Sequence, residues 1–126
     1  MTEAGKGAIP PPLPPAAPAQ ISLEDFQRVA LRIGVVTAAQ DHPNADRLLV
    51  LTVDLGDGTS RQLVAGIRGA YQAADLLGKH IVVVANLKPA TLRGVESQGM
   101  ALAASDGSTI VLLSPERPIR PGSPVK

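Results

Sequence analysis

From Val29 onward apolar side chains recur at every second position. Val29, Leu31, Ile33 and Val35 alternate with Ala30, Arg32 and Gly34, the period of two of a strand with its apolar set on one face and Arg32 on the other. A dense group of turn formers, Asp41-His42-Pro43-Asn44-Ala45-Asp46, ends that strand, and Leu49 to Val53 follows as a second β-rich run. Asp57-Gly58 marks a tight hairpin, after which Arg61 to Ala65 reads as a third strand. Gly69 to Leu77, closed by Gly78, predicts a short helix with glycine at its C-terminal end. His80 to Ala85 predicts a fourth strand. The stretch from Asn86 to Gln98 reads as long and irregular, and Met100 to Ala104 and Thr109 to Leu113 read as a last hairpin turning at Asp106-Gly107. Upstream, Ser22 as N-cap with Asp25 three residues later predicts one helical turn ending near Phe26. The Pro-rich C-terminal segment reads as extended.

Five or six short strands with one helix between the third and fourth give the element order of an OB-fold. The expected fold is therefore all-β with a short helix, a five-stranded Greek-key barrel with C-terminal extension strands. Such a barrel binds oligonucleotides on strands two and three and on the loops one-two and four-five. The two longest irregular segments, 41–47 and 86–98, are the ones this topology sets beside that face. The folded domain is expected over 21–126. Residues 1–20 hold half of the twelve prolines and almost no large apolar side chain, so they bury too little surface to offset their ordering entropy and read as a disordered Pro/Ala-rich tail. The competing reading of that tail is a polyproline II ligand, from the P-x-x-P spacing of Pro11 to Pro14.

Composition narrows the function classes. Of 126 residues one is Phe, one is Tyr and none is Trp, so the core rests on Val, Leu, Ile and Ala. Cysteine is absent, which excludes a disulfide framework, a thiolate metal site and a cysteine nucleophile, and suits a reducing cytosol. No signal-peptide pattern and no apolar run of the roughly 18–20 residues that span a bilayer is present, so the expectation is a soluble, cytoplasmic protein without a membrane partner. Twelve basic against eleven acidic residues leave a net charge of +1, and any nucleic-acid partner must be met by a local patch rather than by overall charge.

The search for catalytic chemistry finds no nucleophile motif and no phosphate loop. His42 reads as part of a turn and His80 as a strand-opening residue. Asp41, Asp46, Asp54 and Asp57 read as solvated turn acids, since they lack the spacing of a calcium loop. No metal and no cofactor is expected. The segment Asn86 to Met100 stands apart: Lys88 and Arg93 supply phosphate attraction, while Asn86, Ser97 and Gln98 carry groups that read base edges or ribose hydroxyls. The alternative is a solvated loop whose glycines allow its turns. With so few aromatic rings, ordinary base stacking along a single strand is excluded, and recognition is expected to rest on polar contacts and shape.

Five ordered blocks carry a resemblance: Val29-x-Leu31-Arg32-Ile33-Gly34; His42 to Leu48 (HPNADRL); Arg61 to Gly66 (RQLVAG); Ala85 to Pro89 (ANLKP); and Arg93 to Met100 (RGVESQGM). Together they resemble the tRNA-binding domain family, which includes the C-terminal domain of many bacterial methionyl-tRNA synthetases, freestanding bacterial tRNA-binding proteins and endothelial-monocyte-activating-polypeptide-like domains. The resemblance covers about Leu23 to Val125. It implies an OB-fold, tRNA binding that depends on structure rather than sequence, no catalysis, and homodimerisation. It also implies RNA-facing roles for Arg32, Asn86, Lys88, Arg93, Ser97 and Met100, the last of which on the residues alone reads as core filler. The expected function is a noncatalytic module that assists an aminoacyl-tRNA synthetase in cis or in trans; the chain reads equally as a freestanding protein or as a separated piece of such an enzyme. The alternative is a dimeric protein-interaction or export-chaperone-like OB-fold, a branch that the blocks at 42–48 and 97–100 resemble less closely.

Overall fold

The structure, a computed structural model, describes residues 18–126. The tail reading of 1–20, with its P-x-x-P motif, lies outside the described residues except for 18–20, which are exposed and without regular structure. The short helix α1 (Leu23–Gln27) is capped as expected, the Ser22 hydroxyl accepting from the Asp25 amide at 3.0 Å. Four strands follow: β1 (Leu31–Asp41), β2 (Leu49–Asp54), β3 (Ser60–Ala65) and β4 (His80–Val84). β5 (Ala90–Leu92) and β6 (Val95–Ser97) form a hairpin, β7 (Met100–Ala101) pairs with β4, β8 (Ala103–Ser105) pairs with β9 (Ile110–Leu112), and β10 (Pro124–Val125) pairs with the start of β1.

The main sheet runs β3-β2-β1-β4-β7, all antiparallel. A register shift between Val36 and Ala38 lets the long β1 bend and serve two partners, β4 with its first half and β2 with its second. The barrel is nearly closed by the segment 96–99 lying against β3. The Gln98 amide donates to Gln62 O at 2.7 Å, the Gln62 amide to Gln98 Oε1 at 3.0 Å, and the Val64 amide to Ser97 Oγ at 3.0 Å. Inside, Val36, Leu49, Leu51, Val53, Leu63, Ile81 and Val83 form the dry core, an aliphatic interior as the composition requires. The architecture is an OB-like barrel.

The alternation in β1 is present, but its richer apolar face is not the one that enters the barrel. Gly34 pairs with core Ile81 and Arg32 with core Val83, and directly opposed residues share a face. The core therefore takes the face of Arg32, Gly34 and Val36. A Cβ at Gly34 would run into Val53 Cγ1 and stand 3.0 Å from Leu55 Cδ2, so glycine lets the strand cross the core at this point without displacing Val53. Leu31, Ile33 and Val35 take the outer side of the sheet, opposite Val84, Val82 and His80, where Ile33, Val82 and Val84 are nonetheless buried and the C-terminal segment bonds to the strands through Ser123 O and Leu113 O.

Three expectations are corrected. The helix over 69–77 shrinks to a 3₁₀ turn, Ala73–Leu76, because Gly69 sits at φ +101° and the Ile67 carbonyl already closes a turn on the amides of Ala70 and Tyr71. The stretch 86–98 is not irregular throughout, since it contains the β5–β6 hairpin. The strand expected over 100–104 divides at Leu102, whose two sides pair with different neighbours, β4 and β9.

Candidate nucleic-acid interface

The β5–β6 hairpin turns on Arg93-Gly94, with φ of +53° and +91°. Two positive φ values are what a two-residue type I′ loop needs, and asparagine is its usual first residue. Here an arginine occupies it, the sole non-glycine at positive φ among the described residues. The hairpin is held from below by the turn 42–48. The His42 ring is 3 % exposed; its Nδ1 accepts from the Asn44 amide at 2.9 Å, which leaves Nε2–H to donate to Leu92 O at 2.9 Å. Arg93 Nη2 donates to Asn44 O at 3.2 Å, and Gln62 Nε2 to Glu96 O at 2.7 Å. The loops one-two and four-five are thus tied to each other, fifty residues apart in sequence. His42 is a turn residue, as its sequence context says, and also the peg on which the hairpin hangs, which no local pattern signals.

The residues singled out from the sequence fall into three groups. Lys88 and Met100 are exposed and line one groove, with Ser97 at its buried base. Arg93 stands at the hairpin tip with the exposed Arg47, around a separate hollow with Asn44 and Asp46; Arg47 lies inside the block 42–48, where its residue type alone signals no role. The other residues are engaged elsewhere. Ser97 is 5 % exposed, and its hydroxyl accepts from Val64 and donates to Gly99 O at 2.9 Å. Gln98 closes the barrel against Gln62. Asn86 Oδ1 accepts from the Ala30 amide at 2.9 Å and its Nδ2 donates to Arg28 O at 2.7 Å, tying the entry of β1 to the end of β4. Arg32 lies at another mouth of the barrel, donating to Gly122 O at 3.4 Å and lining a hollow with Gly56 and Pro121. The side chains of Ser97, Gln98 and Asn86 spend hydrogen bonds within the barrel, while Lys88, Arg93, Arg47 and Met100 are exposed.

The groove has a volume of about 400 Å³ and a predominantly apolar lining. Ala65 and Ile67 are buried at its base, and the exposed Leu87, Leu92 and Met100 wall it. Among the described residues, no group of three or more His, Cys, Asp or Glu side chains stands together as metal ligands would, and no helix is long and apolar enough to cross a membrane.

An OB-like barrel with its two binding-side loops pinned together, a cationic rim and an apolar groove defines the class of small β-barrels that take oligonucleotides on this face. The model of the family described as "Putative tRNA binding domain" matches residues 31–124, and the chain belongs to that family. Methionine--tRNA ligase of Pyrococcus furiosus is 51 % identical over 106 residues, covering 84 % of this chain and 14 % of that protein. The chain thus spans about a seventh of the length of such relatives. Among solved structures, a MetRS related protein from Pyrococcus horikoshii superposes with a TM-score of 0.80 at 29 % identity, covering 86 % of this chain and 99 % of that one. The chaperone CsaA of Bacillus anthracis superposes at 0.78 with 32 % identity, covering 86 % and 100 %.

Proposed function

We propose that this chain is a noncatalytic tRNA-binding module that reads the shape of folded tRNA and serves an aminoacyl-tRNA synthetase, in cis or in trans, in the cytoplasm. The observation that carries the reading is the family match over the whole barrel together with three exposed cations on the loops one-two and four-five, Lys88 at the groove and Arg93 and Arg47 at the separate hollow. Cations on pinned loops attract phosphates at fixed spacing, which favours a rigid, folded RNA over a flexible strand. A second binding element on a synthetase makes capture of tRNA partly intramolecular and raises its effective concentration without new chemistry. We read the protein as a homodimer, supported by the exposed apolar side chains of Ile21, Leu23, Phe26, Val29 and Leu113.

The test is a filter-binding comparison of total tRNA with a linear RNA of equal length. Folded tRNA is expected to bind at least several-fold more tightly, and log affinity to fall with log salt at a slope of about −2 to −3 per protomer if three phosphates are met. Lys88→Ala is expected to reduce that slope by about one. Equal affinity for the two RNAs, or a flat salt response, would remove shape recognition and phosphate contact respectively. The likeness to a chaperone keeps one other reading in play, a protein-interaction role on the same groove; an unfolded polypeptide that outcompetes tRNA would favour it.

A further inference from the structure

Of the three exposed cations, Lys88 lines the apolar groove, while Arg93 and Arg47 stand around a separate hollow. We propose that the groove receives one unstacked nucleobase of the bound RNA, with the adjoining phosphate met by Lys88. This inference rests on the tRNA-binding reading and adds the mode of contact.

Three observations point to a base. The groove's volume falls within the roughly 300–1,000 Å³ of small-ligand pockets, and Leu87, Leu92 and Met100 present flat, polarisable or aliphatic surface that remains exposed, Met100 to 45 %. Its one charged lining residue among the described residues is the cation Lys88, which suits a ligand whose apolar part is followed by an anion. The polar atoms at its base are already engaged: Ser97 Oγ is shared between the Val64 amide and Gly99 O. With that hydroxyl engaged and the lining predominantly apolar, the groove carries little to choose between bases, as recognition by shape requires. Phe26 and Tyr71, the chain's two aromatic residues, do not line it, so the thioether and leucine side chains supply the contact.

The same hydrogen bonds disfavour an extended peptide. A bound strand gains its affinity from a free sheet edge, and on β3 the amides of Gln62 and Val64 are taken by Gln98 and Ser97.

Methyl-labelled methionine gives two protein signals, from Met1 and Met100. On saturation with total tRNA, the Met100 methyl is expected to shift and to show nuclear Overhauser contacts to base protons. Met100→Gln is expected to weaken tRNA binding about five- to tenfold with an unchanged thermal midpoint, whereas Met100→Leu stays within twofold of the wild type. A Met100 methyl without base-proton contacts in the saturated complex would overturn the proposal while leaving tRNA binding standing, as would full affinity in Met100→Gln. Perturbation by an extended apolar peptide but not by tRNA would assign the groove to a protein partner and overturn it. Failure of the wild-type chain to bind tRNA at all would remove the underlying reading and the proposal together.

Discussion

Arg93 combines an unfavourable backbone with an exposed charge. A non-glycine residue in the left-handed region costs of order 1 kcal/mol, and such residues gather at functional sites; asparagine would occupy the position with less strain. Keeping arginine there makes sense if the guanidinium is used by a partner. Arg93→Asn is therefore expected to hold or raise the thermal midpoint while weakening tRNA binding about three- to tenfold, as measured by thermal unfolding and filter binding on the same sample. Lost affinity accompanied by a lowered midpoint would make Arg93 a folding residue instead. Two acids act in the opposite sense, on folding alone. Asp57 is held below the ordinary aspartate value by the hydroxyl and amide of Thr59, and Asp106 by the amides of Ser108 and Thr109, each closing a hairpin. A lowered value in the folded state means that the stabilisation is complete above the unfolded value and is lost as pH falls through the folded one. Unfolding of the wild type between pH about 4 and 2 should show a falling midpoint, and the double variant Asp57→Asn/Asp106→Asn a shallower fall. Parallel curves would show that these turns do not sense their charge.

Elements differed in how plainly their residues announced them. β1 to β4 were legible because alternation and the Asp57-Gly58 signal are local, whereas the β5–β6 hairpin was not: its strands are three residues long, Ala90, Thr91 and Leu92 are all exposed, and its turn uses arginine where asparagine is expected. The inward face of β1 was hidden for a different reason, since Gly34 contributes nothing to a hydrophobic pattern yet marks the closest approach in the core. In the candidate site, the exposure of Lys88 and Arg93 was legible from their charge. The internal hydrogen bonds of Ser97, Gln98 and Asn86 were not, because sequence cannot distinguish a polar side chain that offers hydrogen bonds outward from one that spends them closing a barrel. The His42 peg is a contact between loops, invisible to any window. His42→Ala would leave Leu92 O and the Asn44 amide without partners in a part-buried site, an expected cost of about 2–3 kcal/mol. Hydrogen exchange at the β5–β6 amides should accelerate before that of β1–β4, and tRNA affinity should fall with the freed hairpin. Uniform acceleration across the barrel would show that His42 supports the whole fold rather than this arm.

At the scale of the molecule, the exposed apolar side chains ahead of β1 and at Leu113 are the feature that one barrel leaves unfinished. Ile33, Val82 and Val84, on the outer side of β1 and β4, are buried within the one chain, whereas Leu113, whose carbonyl accepts from the Val82 amide, is 41 % exposed. Beyond the start of β1, Ile21, Leu23, Phe26 and Val29 are all exposed, and α1 buries none of its residues. A domain of about this size buries a modest share of its chain surface, and apolar side chains held outward on two of its segments are the kind of patch that marks an interaction surface. A twofold axis would let the same patch cover itself, and it would join two cationic rims so that they could touch separate parts of one L-shaped tRNA. The expected mass by light scattering at micromolar concentration is twice the single-chain 13.0 kDa. Leu113→Glu places a charge among these exposed apolar side chains without touching Lys88, Arg93 or the groove. It is expected to return the monomer with its barrel intact and to cost about tenfold or more in tRNA affinity, because the second contact ceases to be intramolecular. A monomeric variant that keeps full affinity would separate dimerisation from recognition and leave one barrel sufficient for the tRNA, while a wild type of single-chain mass would sink the dimer itself.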